Sequence, residues 1–360
     1  MIIRRRSLTL ASAAIVMFSA AVFAQTTPQP RKLTDAEKKE IQAVQKVVDD
    51  AAAGQSAPNE VGLAWIHEDL LKAQGNKQYL PFSVSIDPSK ISGNKLTFYW
   101  RVVSTEAPAA AANANAKDAK DAKDAKKDDK KGGRPEYAYE DLNTIPLQSG
   151  QTGPMRISRS FTVAPGNYDV FIVAKETAPE KAPKNAPPQK LGLIKQTVNV
   201  PNLWNDELNT SSVIVAERID PLAAPLTPQQ QGERPYALGT MEIVPASSNK
   251  FSKKAELSTF LLIYNTKMDP ANKPDVTVEY NFYAKQGGSE KFFNKTNPQT
   301  LNAQTLPKEW DAASGHQLQS GQAVPLASFP EGDYRLEIKV TDKIANKTLT
   351  RDVNFTVTGS

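Results

Sequence analysis

The sequence predicts an all-β chain: two tandem antiparallel β-sandwiches preceded by one short N-terminal α-helix. Three observations carry this. Apolar residues alternate with polar ones at period two through several separated runs, as half-buried strands require. The runs are short and joined by turn-rich stretches, and the chain holds 26 prolines, which suits sandwiches better than parallel sheets. Landmarks also recur in the same order in the two halves, which suggests two copies of one unit.

The elements follow from the N-terminus. Residues 1–24 combine Arg4, Arg5 and Arg6 with an apolar run from Leu8 to Phe23 and small residues near Ala24. That pattern predicts a cleaved secretory signal and an extracytoplasmic protein, periplasmic or secreted. The run is rich in Ala and Ser, which argues against a membrane anchor. No later stretch is apolar enough to span a bilayer, and without cysteine the chain has no lipid-bearing cysteine. A polar lead and then a helix occupy 25–57. Thr34 and Glu37 form a capping box, and Ile41, Val44, Val47, Val48 and Ala51 share one face up to Gly54. This face packs either on its own chain, the expected case, or on a partner.

From about residue 58 the period changes to two. Leu80, Phe82, Val84 and Ile86 alternate with polar residues or proline, as do Leu96, Phe98, Trp100 and Val102. Val276, Val278, Tyr280 and Phe282 repeat the pattern, followed by a Gly287-Gly288 turn. Tyr334, Leu336, Ile338 and Val340 repeat it again. The first sandwich is expected over 58–201 and the second over 208–360. A connection spans 202–235, and its strand at 211–219 either belongs to that connection or opens the second module. Residues 105–134 (TEAPAAAANANAKDAKDAKDAKKDDKKGGR) contain nothing larger than Ala to bury, so a disordered insertion in the first module is expected.

The duplication rests on several pairs. Leu147-Gln148-Ser149-Gly150-Gln151 recurs as Leu318-Gln319-Ser320-Gly321-Gln322. Pro165-Gly166-Asn167-Tyr168-Asp169-Val170 answers Pro330-Glu331-Gly332-Asp333-Tyr334-Arg335-Leu336. Upstream, Tyr79 and Pro88 match Tyr236 and Pro245, and Leu96 matches Leu257 as the opening of the next strand.

Composition narrows the function. Lys plus Arg is 44 and Asp plus Glu is 39; without the three arginines of 1–24 the balance is 41 − 39 = +2. That is too little for a chain built to bind nucleic acid. The absence of cysteine excludes disulfides, thiol catalysis, Cys-based zinc sites and iron–sulfur clusters.

The Gly-x-Tyr-x-apolar openings at Tyr168 and Tyr334 resemble those of immunoglobulin-like and fibronectin type III-like modules in exported bacterial proteins. The resemblance implies a tyrosine corner at each, the hydroxyl bonding to nearby backbone. It places Val170 and Leu336 in the core, with Trp100 as the core tryptophan of the first copy and Leu261 at the equivalent place in the second. It also implies a binding, spacing or scaffolding role.

Few residues suggest chemistry. His67-Glu68 lacks a second His four residues on, where Leu71 stands, so no zincin helix forms. His316 sits in a turn-like stretch, and no nucleophile elbow, phosphate loop or calcium loop occurs. No catalytic residue, metal site or cofactor is expected. Glu136, Tyr137, Tyr139 and Glu140, with Asp141, form the best sugar-site candidate; the favoured reading is a loop-to-strand junction. Tyr99, Tyr283, Phe292 and Phe293 include aromatics that should face away from their local core; the favoured reading is that the neighbouring module, the N-terminal helix or the long loops cover them, and the alternative makes them the candidate partner surface. The leading expectation is a non-enzymatic envelope or secreted protein that contacts another envelope protein or a surface polymer. The rival is a carbohydrate-binding or carbohydrate-active protein, and a third possibility is docking of the Lys-rich insertion to acidic polymers.

Overall fold

The structure, a computed structural model, describes residues 34–106, 137–147, 153–177 and 188–359, apart from the side chains of 35–37. The leader, the charged insertion, Glu136 and the capping-box side chain of Glu37 lie outside these residues. The architecture is all-β and antiparallel, with a helix ahead of it. Two compact units divide between residues 202 and 203.

The first unit begins with α1 (Asp35–Ala52). Its strands are β1 (Ala64–Glu68), β2 (Leu71–Ala73), β3 (Lys77–Ile86), β4 (Lys95–Ser104), β5 (Tyr139–Pro146), β6 (Met155–Val163), β7 (Gly166–Glu176) and β8 (Leu191–Val200). One sheet runs β1-β3-β6 with β2 also on β3, and the other runs β5-β4-β7-β8. Leu80, Phe82, Val84 and Ile86 of β3 meet Phe98, Trp100, Val170 and Ile172 of the facing sheet in one core. Pro81 stands in the middle of β3, where the missing N–H should break a ladder. Its carbonyl accepts from the Asp69 amide, between the end of β1 and the start of β2, so the missing donor falls at a gap in the neighbouring strand.

The second unit contains β9 (Asn209–Thr210), β10 (Ile214–Pro221), α2 (Pro228–Glu233), β11 (Ala237–Leu238), β12 (Met241–Pro245), β13 (Lys250–Ser252), β14 (Glu256–Tyr264), β15 (Asp275–Gln286), β16 (Ser289–Lys295), β17 (Gln299–Asn302), β18 (Leu318–Pro325), β19 (Gly332–Asp342) and β20 (Lys347–Thr358). Its main path β10-β14-β18 faces β16-β15-β19-β20, with β13 added in parallel to β20. This strand order matches that of the first unit, and the core again lies between the two sheets.

Register fixes which residues correspond. Trp100 pairs with Ile172, four residues after Tyr168. Tyr280 pairs with Ile338, four residues after Tyr334. The counterpart of Trp100 is therefore Tyr280, not Leu261, which lies on β14, the counterpart of β3. The upstream landmarks slip for one reason: between β10 and β14 in the chain the second unit adds the β11–β12 pair, which lies on the outer side of β10 and which the first unit lacks. The shared pentapeptide does not align either. Leu147 follows β5 and its amide bonds Asn94, whereas Leu318 opens β18 opposite Ile263.

The two buried aromatics solve one problem with different chemistry. A polar tip in a core needs a partner. Trp100 Nε1 donates to the Ser160 carbonyl at 3.2 Å, and the Tyr280 hydroxyl lies 2.8 Å from Ser320 Oγ. In both units the bond crosses to the opposite sheet.

At the start of β7 and β19, Tyr168 Oη donates to Ala164 O at 3.0 Å, and Tyr334 Oη donates to Pro330 O at 2.8 Å. Burial raises both phenols above the usual range, and the Glu106 charge adds to this at Tyr168. Gly166 and Gly332 adopt φ +153° and +149°, where side chains are rare, and a Cβ on Gly166 would stand 3.4 Å from the Tyr168 hydroxyl. Val170 and Leu336 lie in the cores. Replacing Tyr334 with Phe should remove one hydrogen bond, costing about 1 kcal/mol, and lower the Tm of this unit by about 2–4 °C. An unchanged melting curve would show that the hydroxyl contributes nothing to stability.

Candidate binding surfaces

The two units treat the outer face of the same sheet differently, and the difference is written in their strands. In β7, Val170, Ile172 and Ala174 point into the sandwich, but Phe171 and Val173 on the opposite face are apolar as well. A strand apolar on both faces needs a second cover. Helix α1 supplies it: Val44 and Val48, four apart and so on one side of the helix, pack with Tyr99, Phe171, Val173 and Leu193. Tyr99 is therefore 1% exposed and is not a partner surface. Its expected outward direction is correct, but the outward face is covered.

Charges fix the helix in place. Lys175 Nζ meets Glu40 Oε1 at 2.8 Å. Gln45 Nε2 donates to Glu140 Oε1 at 3.3 Å. The Arg101 side chain, 2% exposed, pairs with Asp49, and its Nε donates to the Tyr99 hydroxyl at 2.7 Å. That hydroxyl donates in turn to Glu140, whose Oε1 also lies 3.5 Å from Arg101. The Arg101 guanidinium lies 4.1 Å from the Tyr137 ring centre. Burial acting alone would lower the Arg101 pKa, yet the Asp49 and Tyr99 bonds raise it. Burial pushes the Tyr99 phenol up, and the Glu140 bond pushes it further.

Three of the proposed sugar-site residues are thereby accounted for. Tyr137 and Glu140 belong to this clamp, and Tyr139 stacks on Trp100 at 6.2 Å between ring centres. The adjacent Asp141 carboxyl is pushed up by burial, against the Leu142 amide that stabilises its charged form. Glu136 lies outside the described residues. Arg101, Lys175, Glu40 and Asp49 went unnoticed in the sequence, although charged residues inside the apolar runs of β4 and β7 were a usable signal.

In the second unit β19 alternates strictly: Arg335, Glu337 and Lys339 face outward from Tyr334, Leu336 and Ile338. Here the outer face is polar. Its aromatic corner lies at β15 and β16, where Tyr283 opposes Phe292 and Phe282 opposes Asn294. Phe293 is the extra residue of a bulge, which re-aims neighbouring side chains. It turns inward to 4.8 Å from Phe329 and 5.5 Å from Tyr334. Phe292 turns outward and is 52% exposed, edge-on to half-buried Tyr283 at 5.8 Å. Arg335 lies 4.5 Å from the Tyr283 ring centre and is held by Glu290, Glu337 and Asp352.

Neither histidine sits in a constellation suited to catalysis. His316 Nδ1 accepts from the Asp311 amide at 2.9 Å in a turn. His67 Nε2 stands 3.6 Å from Asp69, while burial and then the Arg156 charge lower its pKa to about 4. Among the described residues no group of three or more His, Cys, Asp or Glu is placed to hold a metal.

No protein-family profile and no curated protein sequence matches this chain. Among solved structures it is loosely similar to Escherichia coli alpha-2-macroglobulin activated by porcine elastase. That match has 10% identity and a TM-score of 0.22, and it covers 80% of this chain and 22% of the other. A second similarity is to Salmonella alpha-2-macroglobulin reacted with methylamine, at 12% identity and TM-score 0.20, covering 84% of this chain and 17% of the other. This chain thus spans about a fifth of the length of those proteins. A likeness this loose bears on neither fold nor function.

Arg101→Met should free α1 while leaving the sandwich intact, because Asp49 of the helix loses its guanidinium partner. Amide exchange across Asp35–Ala52 should accelerate by about tenfold, equivalent to ~1.4 kcal/mol, with the β7 amides unaffected; equal protection of the helix in both proteins would refute the clamp. A separate signal belongs to His67. Its folded pKa of about 4 lies below the ordinary histidine value of 6.5, so the unfolded chain binds the extra proton between those values. Stability should be full above pH 6.5 and fall as the pH drops towards about 4. His67→Gln should flatten that part of the stability–pH curve, and an unaltered slope would show that His67 is not its source.

Proposed function

We propose that this chain is a non-enzymatic exported protein of the cell envelope or secreted space. Its two sandwich modules would contact another envelope protein or a surface polymer. The observation that carries the reading is how the aromatic and acidic residues are spent. In the first unit Tyr99, Tyr137 and Glu140 hold a helix of the same chain. In the second unit Phe292 is left 52% exposed at the rim of a sheet. A large apolar side chain exposed beside a second aromatic and an oriented arginine suits contact with a macromolecule. Export rests on the basic and apolar pattern of residues 1–24. No described helix is long and apolar enough to cross a membrane.

The test is a pull-down of tagged 25–360 from the envelope fraction of its own cells, paired with an assay of the same protein on cell-wall oligosaccharides. One reproducible partner, captured by the wild type and reduced about tenfold by Phe292→Ser, is the expected result. Oligosaccharide turnover that Glu140→Gln abolishes would overturn it in favour of a carbohydrate-active protein.

A further inference from the structure

The free edges of the two units are not equally available. In the second unit, β20 is paired by β13 along Thr356–Thr358. At β18, Gln299 Nε2 bonds the Gly321 carbonyl at 2.7 Å, and its Oε1 takes the Ser320 hydroxyl at 2.6 Å. In the first unit, β8 meets the chain at Asn59 through a bridge to Gly192 and bonds to Leu191 and Leu193. The outer edge of β5 is also unpaired among the described residues, but that strand is half-buried along most of its length; the outer edge of β16 has no such cover. It ends its sheet, pairs only with β15, and is exposed at every residue except Phe293. A strand in that position presents a row of N–H and C=O groups ready for another strand.

The side chains along this edge restrict what can pair there. Lys291 and Lys295 are exposed, and neither has an ion pair among the described residues. Glu290, the acid of the strand, is engaged by Arg335 at 2.9 Å. The bulge puts the two lysines on opposite faces, Lys291 opposite inward Ala284 and Lys295 opposite outward Asn281. A second copy of β16 would bring two more lysines and an acid already engaged by Arg335, so it offers these lysines no free carboxylate. A strand carrying carboxylates is favoured by the same two lysines, and Phe292 offers an apolar side chain of that strand a surface to cover.

We propose that the outer edge of β16 is a docking site for an extended, acidic segment of another protein. The segment adds as a strand beside Ser289–Lys295, with one carboxylate on the inner face at Lys291, one on the outer face at Lys295, and an apolar residue on that outer face against Phe292 and Tyr283. This mode takes affinity from main-chain bonds and specificity from alternate side chains. It rests on the contact role proposed above and names the surface and the partner chemistry for it.

The probe is the octapeptide Asp-Asp-Val-Val-Asp-Asp-Val-Val, which presents carboxylates and apolar side chains on both faces of a strand, with a twin in which Lys replaces Asp, titrated into 15N-labelled protein. The acidic peptide should shift and protect the amides of 289–295 and bind about tenfold more tightly than its twin. The preference should weaken at high salt. The double variant Lys291→Glu, Lys295→Glu should invert the preference; both sites are exposed, so folding should be unaffected. Phe292→Ser should weaken the acidic peptide without inverting the preference. Shifts confined to other strands, equal binding of the two peptides, or a peptide-independent dimer joined through 289–295 would each overturn the proposal. If the envelope partner binds the double-Glu variant undiminished, the contact role stands and this edge is not its site.

Discussion

Successive side chains of a β-strand point to opposite faces, so a strand with apolar residues on both faces requires two covers. In the first unit β7 imposes that requirement. Val170 and Ile172 are covered by the facing sheet, and Phe171 and Val173 are covered by α1. The helix needs its own orientation fixed, because a short apolar stripe of Val44 and Val48 on a sheet resists rotation poorly. Glu40, Gln45 and Asp49 supply the orientation through Lys175, Glu140 and Arg101. Desolvating Arg101 offsets much of the energy its partners return, so this network contributes more to placement than to net stability.

The sandwiches carry the rest without disulfides, since the chain has no cysteine. Each depends on an aromatic on its central strand whose polar tip reaches the opposite sheet, Trp100 in one and Tyr280 in the other. Each also has a tyrosine at the start of the next strand in the sheet that closes onto a carbonyl four residues back. The glycine two before that tyrosine matters for its backbone angle in both units. Equivalent positions thus keep the geometry while changing the residue, as expected when packing volume and hydrogen-bond satisfaction are the constraint.

The fold was legible where it depended on local pattern. Period two in 80–86, 96–102 and 334–340 marked strands, and one apolar stripe marked α1. What the alternation could not report was whether an outward face stays outward. The alternation leaves Tyr99 open either to a partner or to a cover such as the N-terminal helix, because a contact from so much earlier in the chain leaves no local signal. The fuller clue lay in β7, where Asp169-Val170-Phe171-Ile172-Val173-Ala174 loses its alternation and predicts burial on both sides. The correspondence between Trp100 and Leu261 failed for another reason. Short matches such as Leu-Gln-Ser-Gly-Gln are mostly polar, and polar residues fit a turn or a strand edge equally well. Only pairing register distinguishes the two. The sugar-site grouping had residues of the right chemistry, but Tyr139 was directed to the core and Glu140 to the helix.

The contrast between β7 and β19 also bears on where the proposed contact surface falls. The outer face of the second unit's β15–β19 sheet is laid with opposite charges, such as Lys339 with Glu279 at 3.5 Å and Lys343 with Asp275 at 3.4 Å. Exposed pairs of this kind contribute little to stability. They let the face remain wet without a helix, and they give a partner little apolar area to bury. The contact proposed for that sheet therefore falls at the rim. There the bulge at Phe293 frees Phe292, and Glu290 is occupied by Arg335, so the remaining lysines of β16 set the sign of the charge that an incoming strand meets.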